Sequence, residues 1–126
     1  MTATAAANVA PATTTGRCPN CGDDVQSGGR GRGRVFCRTR CRELFAARSK
    51  SEGAPLLAYV LASIETRHAK PGTREAELCR QARSEMTAIA RDILARRKAD
   101  GMPPAADYVE TLLATGERYM DRTRRG

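Results

Sequence analysis

The chain has 126 residues, of which 40% are hydrophobic, and a formal net charge of +8. That length suits one domain of ordinary size or two small units. The sequence has no run near the ~20 apolar residues that a membrane-spanning helix needs, and no Trp and only two Phe and three Tyr for a core. A core this thin needs a metal, a partner or close helix packing, and the excess of basic residues indicates an anionic partner.

Residues 1–16 are mostly Ala, Thr and Pro and carry no charged side chain. This composition predicts a disordered tail. The segment also lacks the basic stretch and apolar core of a secretion signal. We therefore expect a cytoplasmic protein with no membrane partner, in which the fifth cysteine, Cys79, remains a reduced thiol buried in its helix.

Four cysteines form two close pairs, Cys18 with Cys21 and Cys37 with Cys41. Two intervening residues allow the first pair to wrap a tight turn around a metal, and Gly22 suits the bend that follows. A spacing of four places the second pair on one face of the first turn of a helix. Four thiolates complete a tetrahedral zinc shell with no open position. The pattern therefore predicts one structural Zn²⁺.

Other interpretations of the cysteines are weaker. Disulfides are disfavoured without a secretion signal, and an iron–sulfur cluster is rarer at this spacing. A closed shell of four thiolates argues against zinc catalysis, and the single histidine, His68, has no triad or metal partner nearby in the sequence. The sequence contains no phosphate loop, metalloprotease motif or nucleophile elbow. We therefore expect a protein that is not an enzyme.

Most of the positive charge lies around the cysteines. Residues 17–50 carry nine basic and three acidic side chains, a net +6, against +2 for the rest of the chain. Such density predicts phosphate contacts to a nucleic acid, to DNA more than to RNA. Solvation of the surface and binding to an acidic protein are the alternatives. The candidate contacts, the first three of them in a glycine-rich predicted hairpin tip, are Arg30, Arg32, Arg34, Arg38, Arg40 and Arg42.

Residues 54–126 predict three amphipathic helices, 55–69, 73–98 and 103–121, separated by Pro and Gly. Thr73 is the expected N-cap of the second helix. The predicted fold is mainly α: a small four-cysteine zinc finger (short β-hairpin plus helix) over residues 17–50, then a three-helix region. We expect the apolar faces to form an internal core, with homodimerisation or docking of a protein partner as the alternative. The first two faces comprise Leu56, Leu57, Val60, Leu61 and Ile64, then Leu78, Ala82, Met86, Ile89, Ile93 and Leu94.

The CPNCG and VFCRTRC runs, with fifteen residues between Cys21 and Cys37, resemble the FCS-type zinc fingers. They are similar in particular to the short zinc-binding inhibitors of DNA gyrase. The resemblance covers about residues 17–45. It implies that the four cysteines are the zinc ligands, that Phe36 packs beside the site, and that a short hairpin precedes a helix from about Thr39.

Two departures separate this chain from those inhibitors. Arg38 stands where the family has Ser, and a long helical region follows the cysteines. The resemblance therefore implies the metal site more strongly than gyrase inhibition. It also supplies the alternative function, a protein-interaction module that docks on gyrase or the transcription machinery with a purely structural zinc. A zinc unit that only completes an undersized core is a third hypothesis.

Overall fold

The computed structural model describes residues 15–26 and 35–115. Within them the chain is mostly helical, with a two-stranded hairpin that precedes three helices. The predicted fold class is therefore confirmed. Almost all of the predicted N-terminal tail lies outside the described residues, as do Arg30, Arg32 and Arg34.

The hairpin pairs β1 (Thr15–Arg17) with β2 (Asp24–Gln26) in antiparallel register, with Gly16 opposite Val25. Its turn contains the first cysteine pair. The glycine-rich hairpin tip expected from the sequence falls in the segment that the structure does not describe.

Helix α1 (Thr39–Thr66) runs without a break through Pro55. The resemblance implies a short helix from about Thr39, and the sequence predicts a separate helix over 55–69 because proline suits a first helical turn. Within α1, Pro55 cannot donate to the carbonyl four residues earlier. That carbonyl belongs to Ser51, and both Ser51 and Pro55 are exposed, so water can satisfy it. The domain boundary expected near residues 50–54 therefore falls inside a continuous helix.

Helix α2 (Arg74–Ala99) starts where the sequence predicts. The Thr73 hydroxyl accepts a hydrogen bond from the Ala76 N–H at 3.2 Å, so the predicted N-cap is confirmed. Basic side chains occupy the last turn, and Gly101, with φ of 79°, follows the C-cap Asp100. Helix α3 (Ala105–Thr115) begins two residues later than predicted, after Pro103 and Pro104, and the residues beyond 115 lie outside the described range.

The described residues divide into two compact units. The cysteine unit comprises residues 15–26, 35–43 and 101–115, and its core is Cys18, Val25 and Cys41 with Phe36 and Cys37 packed against them. The helical unit comprises Leu44–Asp100. Its buried apolar side chains are Phe45, Cys79, Ala82 and Ile93.

The expected internal core of the helices is only partly correct. On α2, Ala82 and Ile93 are buried as predicted. Five other predicted core residues are more than two-fifths exposed: Leu57, Leu61, Ile64, Leu78 and Leu94. The buried residues of α2 are Cys79, Ala82 and Ile93, so only part of its apolar face is covered. None of the helices in the described ranges is long and apolar enough to span a membrane.

Candidate metal centre

The turn between the strands places the first cysteine pair. The Cys18 N–H donates to the Asp23 carbonyl and the Gly22 N–H donates to the Cys18 carbonyl, both at 2.8 Å. Gly22 has a φ of 84°, a left-handed conformation that disfavours any side chain. The backbone of this turn therefore directs Cys18 and Cys21 toward one point.

The second pair comes from the start of α1. Cys37 lies two residues before the helix and Cys41 lies in its first turn, and their Sγ atoms are 3.6 Å apart. The Cys21 and Cys37 Sγ atoms, which join the two pairs, are also 3.6 Å apart. All four predicted ligands therefore meet, with every Sγ within 4.8 Å of the others.

The geometry of the four sulfurs fits a single metal ion. A tetrahedral zinc with Zn–S bonds of about 2.3 Å separates its sulfurs by about 3.8 Å, close to the 3.6 Å observed here. Four thiolates fill such a shell, so no coordination position remains for a substrate or a water. The cluster can hold one metal ion in a closed, structural manner.

Asn20 and Arg38 support Cys41 from outside the ligand set. The Asn20 Nδ2–H donates to the Cys41 Sγ at 3.4 Å. The hydrogen bond from Asn20, assisted by Cys37 and Arg38 against the effect of burial, lowers the pKa of Cys41 to about 7. Sequence reasoning missed both roles, although Asn20 lies inside the CPNCG turn and Arg38 stands at the departure from the family pattern.

The other thiols show that the cluster resists full ionisation without a cation. The Asp23 backbone N–H lowers the pKa of Cys21, but burial and the neighbouring thiols outweigh it and raise that pKa to about 12. Burial raises the pKa of Cys18, yet hydrogen bonds from the backbone of Cys37, Cys21 and Asn20 outweigh burial and lower it. A bound dication removes this conflict because it neutralises the adjacent thiolates.

An aromatic pair lies beside the cluster. Phe36 packs against the cysteines, as the resemblance implies, and its ring lies 6.2 Å from that of Tyr108 on α3 at an angle of 52°. Met102 and Pro103, which precede α3, are buried. The cysteine unit thus joins the hairpin and the start of α1 through the four sulfurs, and α3 contacts it through Tyr108 and Phe36.

Three of the predicted nucleic-acid contacts lie at the start of α1. Arg38, Arg40 and Arg42 are all exposed. The first turn of α1 contains no acidic residue, so the positive end of the helix dipole adds to their charge. Arg38 also interacts with Cys41, which raises the arginine pKa. Arg40 and Arg42 make no ion pair with any residue in the described ranges.

Three further residues singled out in the sequence are Cys79, His68 and Arg48. Cys79 is buried, and its thiol donates to the Ser63 carbonyl at 3.7 Å. His68 is exposed, as expected of a surface residue. Arg48 pairs with Glu52 and Asp100, so this basic residue of the segment 17–50 has its charge partly neutralised.

No family model, no curated protein and no solved structure matches this chain.

Proposed function

We propose that this chain is a small zinc-finger protein that binds nucleic acid, DNA more than RNA, through the arginines of its cysteine unit, and that it catalyses no reaction. One observation carries the proposal: Arg40 and Arg42 stand exposed and without an ion pair among the described residues, on the helix turn that supplies Cys41. A reducing compartment such as the cytoplasm would keep the four thiols available for the metal.

The choice of zinc follows from the ligands. Four thiolates in a tetrahedron favour Zn²⁺ over the hard cations, which prefer oxygen ligands. The zinc would fix the start of α1 against the hairpin and thereby hold the arginines in one array. In the proposed protein the ion is structural, because its shell is complete without a substrate.

The arrangement of the arginines favours contact with phosphates over reading of bases. Arg40 and Arg42 are two residues apart on a helix and therefore point to different sides of it. They surround the helix end instead of lining one face that could enter a groove. A helix N-terminus with guanidiniums around it attracts phosphate oxygens of any sequence. Arg30, Arg32 and Arg34 remain predicted contacts.

Binding to labelled DNA at several salt concentrations tests the proposal. We expect the zinc-loaded chain to bind duplex or single-stranded DNA at low salt, with an affinity that falls steeply as salt increases. The double variant R40A/R42A should reduce the slope of log K against log[salt] by about 2, because each lost phosphate contact removes about 0.9. Failure of the wild type to bind any nucleic acid at low salt would reject the proposal.

A matched control loses the same charge elsewhere. Arg83 and Arg91 are exposed residues of α2, and R83A/R91A should leave the salt slope unchanged. An equal effect of both double variants would mean that net charge, and not the start of α1, attracts the nucleic acid. R30A/R32A/R34A measures the contribution of the glycine-rich segment, and RNA of equal length tests the preference for DNA.

A protein ligand is the second candidate function. The observation that favours it is the exposure of Val109 and Leu113, one turn apart on α3, with each side chain at least half exposed. Docking on gyrase or the transcription machinery would use such a surface. A partner that the R40A/R42A variant still binds, but that is lost when Leu113 is changed to Glu, would favour this function if the wild type binds no nucleic acid.

A further inference from the structure

Three large aliphatic side chains form an exposed row on α1, which we term the outer stripe: Leu57, Leu61 and Ile64. Their exposed fractions are 59%, 54% and 53%. Spacings of four and three residues align them along one side of the helix. Phe45 and Ser63, which are buried, mark a different side of the same helix. The outer stripe is therefore an apolar surface left uncovered by the packing of the helical unit.

The neighbours of the outer stripe make it suitable for close packing against another helix. Gly53 and Ala54 continue the same side toward the N-terminus, one turn before Leu57. From Gly53 to Ile64 this side carries no charged side chain. This side therefore has large residues at its C-terminal end and small residues at its N-terminal end. Two such surfaces fit together when the helices run in opposite directions. This asymmetry distinguishes the stripe from isolated exposed leucines, which are common.

We propose that the outer stripe binds the same stripe of a second copy of this chain, as an antiparallel helix pair. A two-fold axis near residue 59 sets Leu57 of one copy beside Leu61 of the other, and Ile64 beside Ala54. Ile64 of each copy then meets the small Ala54 of the other, and the two helices can approach closely. The spacing is that of the apolar seam in two-stranded coiled coils.

Charges at the two ends of the stripe select the antiparallel direction. Lys50 lies in line with the stripe and Glu65 flanks its other end, and neither forms an ion pair within the described ranges. In the antiparallel pair, Lys50 of each copy comes within one turn of Glu65 of the other. A parallel pair would place Lys50 beside Lys50 and Glu65 beside Glu65, and like charges repel. Arg67 follows Thr66, the last residue of α1, so Glu65 is the charge that the helix itself places beside this end of the stripe.

The exposed area predicts a dimer of modest affinity. Six half-exposed aliphatic side chains, three from each copy, would remove about 600 Å² from water, roughly half the lower limit for a standard specific interface. The alanines, Gly53 and the methylenes of Lys50 add to this area. We therefore expect a monomer–dimer equilibrium with a dissociation constant of about 10–100 μM.

Sedimentation equilibrium of the zinc-loaded full chain tests the proposal. The wild type should shift from monomer to dimer between about 1 and 500 μM. Leu61→Glu should raise the dissociation constant at least tenfold, because it places two carboxylates in the centre of the seam. Leu94→Glu is the matched control, since Leu94 is 51% exposed on α2, and it should leave the equilibrium unchanged. A wild type that stays monomeric throughout this range overturns the proposal.

A charge reversal tests the identity and direction of the partner. Lys50→Glu and Glu65→Lys should each weaken the dimer about threefold, and the double variant should restore it, because the pair of charges is exchanged between the copies. Restoration requires that both residues act across the same interface. Dimerisation without restoration, or an equal loss for Leu94→Glu, contradicts the antiparallel pair. Covering of the stripe by residues 1–14 of the same chain would instead give a monomer at every concentration.

Discussion

The cysteine unit and the helical unit differ in what their cores contain. In the first, two of the three buried core residues, Cys18 and Cys41, are candidate metal ligands, and only Val25 is an ordinary apolar residue. In the second, Phe45, Ala82 and Ile93 are ordinary buried apolar residues, and the buried thiol of Cys79 bonds to the Ser63 carbonyl and belongs to no cysteine cluster among the described residues. The chain has few aromatic residues and therefore stabilises its two small cores in two ways, with candidate metal ligands in one unit and with ion pairs in the other.

An internal ion-pair network stabilises the helical unit. Arg97 of α2 donates to Glu52 of α1 through Nε at 2.9 Å and through Nη2, and both side chains are only 14% exposed. The same arginine lies 5.2 Å from the centre of the Phe45 ring, and Arg48 also pairs with Glu52. This unit needs no metal to satisfy its buried charges. Removal of the metal should therefore unfold the cysteine unit and leave the helical unit folded.

The largest effect should come from a ligand cysteine. Cys18→Ser should abolish metal binding, which contributes about 10–16 kcal/mol in small zinc domains. Amides of residues 15–26 and 35–43 should then lose protection from hydrogen exchange, while those of residues 44–99 keep it. Cys79→Ser, the control, should keep the metal. Loss of protection in both units would contradict the comparison and support the hypothesis of a zinc that completes one common core.

Glu52→Gln should weaken the helical unit and leave metal binding unchanged. The substitution removes the charge that two arginines share, so we expect a loss of about 2 kcal/mol in the free energy of unfolding. Urea unfolding followed by circular dichroism measures it. Glu77→Gln breaks an exposed pair with Arg80 and should change the stability little. An equal effect of the two variants would show that burial of the network does not add to the free energy of unfolding.

The same carboxylate predicts the pH dependence of the helical unit. Burial raises the pKa of Glu52, but Arg97 and Arg48 outweigh burial and hold the pKa below its ordinary value of 4.5. The stabilisation is therefore complete above pH 4.5 and is lost as the pH falls below 4.5 through the pKa of the folded state. The difference in stability between wild type and Glu52→Gln should shrink over that range. A difference that stays constant would contradict the role of the ionised pair.

Asn20→Ala should weaken the metal site without removing a ligand. Loss of the hydrogen bond to Cys41 should lower the zinc affinity about tenfold, measured by competition with a chromogenic chelator. The pKa of Cys41, now about 7, should rise, so protons compete with the metal up to a higher pH. Gln81→Ala removes an exposed amide of α2 and should have no effect. Unchanged affinity and pH dependence would show that Asn20 does not tune the site.

The smallest effect should come from the cap of α2. Thr73→Ala removes the hydroxyl that accepts the Ala76 N–H, which should lower the stability of the helical unit by about 1 kcal/mol. Thr73→Ser keeps a hydroxyl at this position and should retain most of the wild-type stability. A thermal melt of both variants measures the difference, and a loss as large for Ser as for Ala would mean that the hydroxyl is not the cause.

The elements that the sequence predicts well depend on local spacing. The two sulfurs of each cysteine pair meet because a tight turn, and the segment that enters the first turn of α1, each extend over five residues or fewer. The spacing did not show that Cys37 would lie two residues before the helix instead of on its first turn. The cap at Thr73 and the basic last turn of α2 are equally local. In each of these cases, neighbouring residues alone determine the backbone.

The predictions that failed depend on contacts between distant residues. Pro55 does not end α1, since Glu52 before the proline pairs with Arg97 of α2 and the Ser63 carbonyl after it accepts from Cys79 of α2, contacts that favour one continuous helix. The aliphatic periodicity of α1 could not show which side would be buried, and Leu57 and Leu61 lie on the exposed side. Asn20 bonds to a sulfur twenty-one residues away, which no local pattern reveals.

Native mass spectrometry of the full chain tests the metal centre most directly. Mixed with an excess of Zn²⁺ and then desalted, the chain should carry one zinc ion and lack four thiol protons, whereas Cys18→Ser should carry none. The Cys79→Ser variant should match the wild type. A wild-type chain that binds no zinc, or that binds zinc with fewer than four thiolates, would contradict the account.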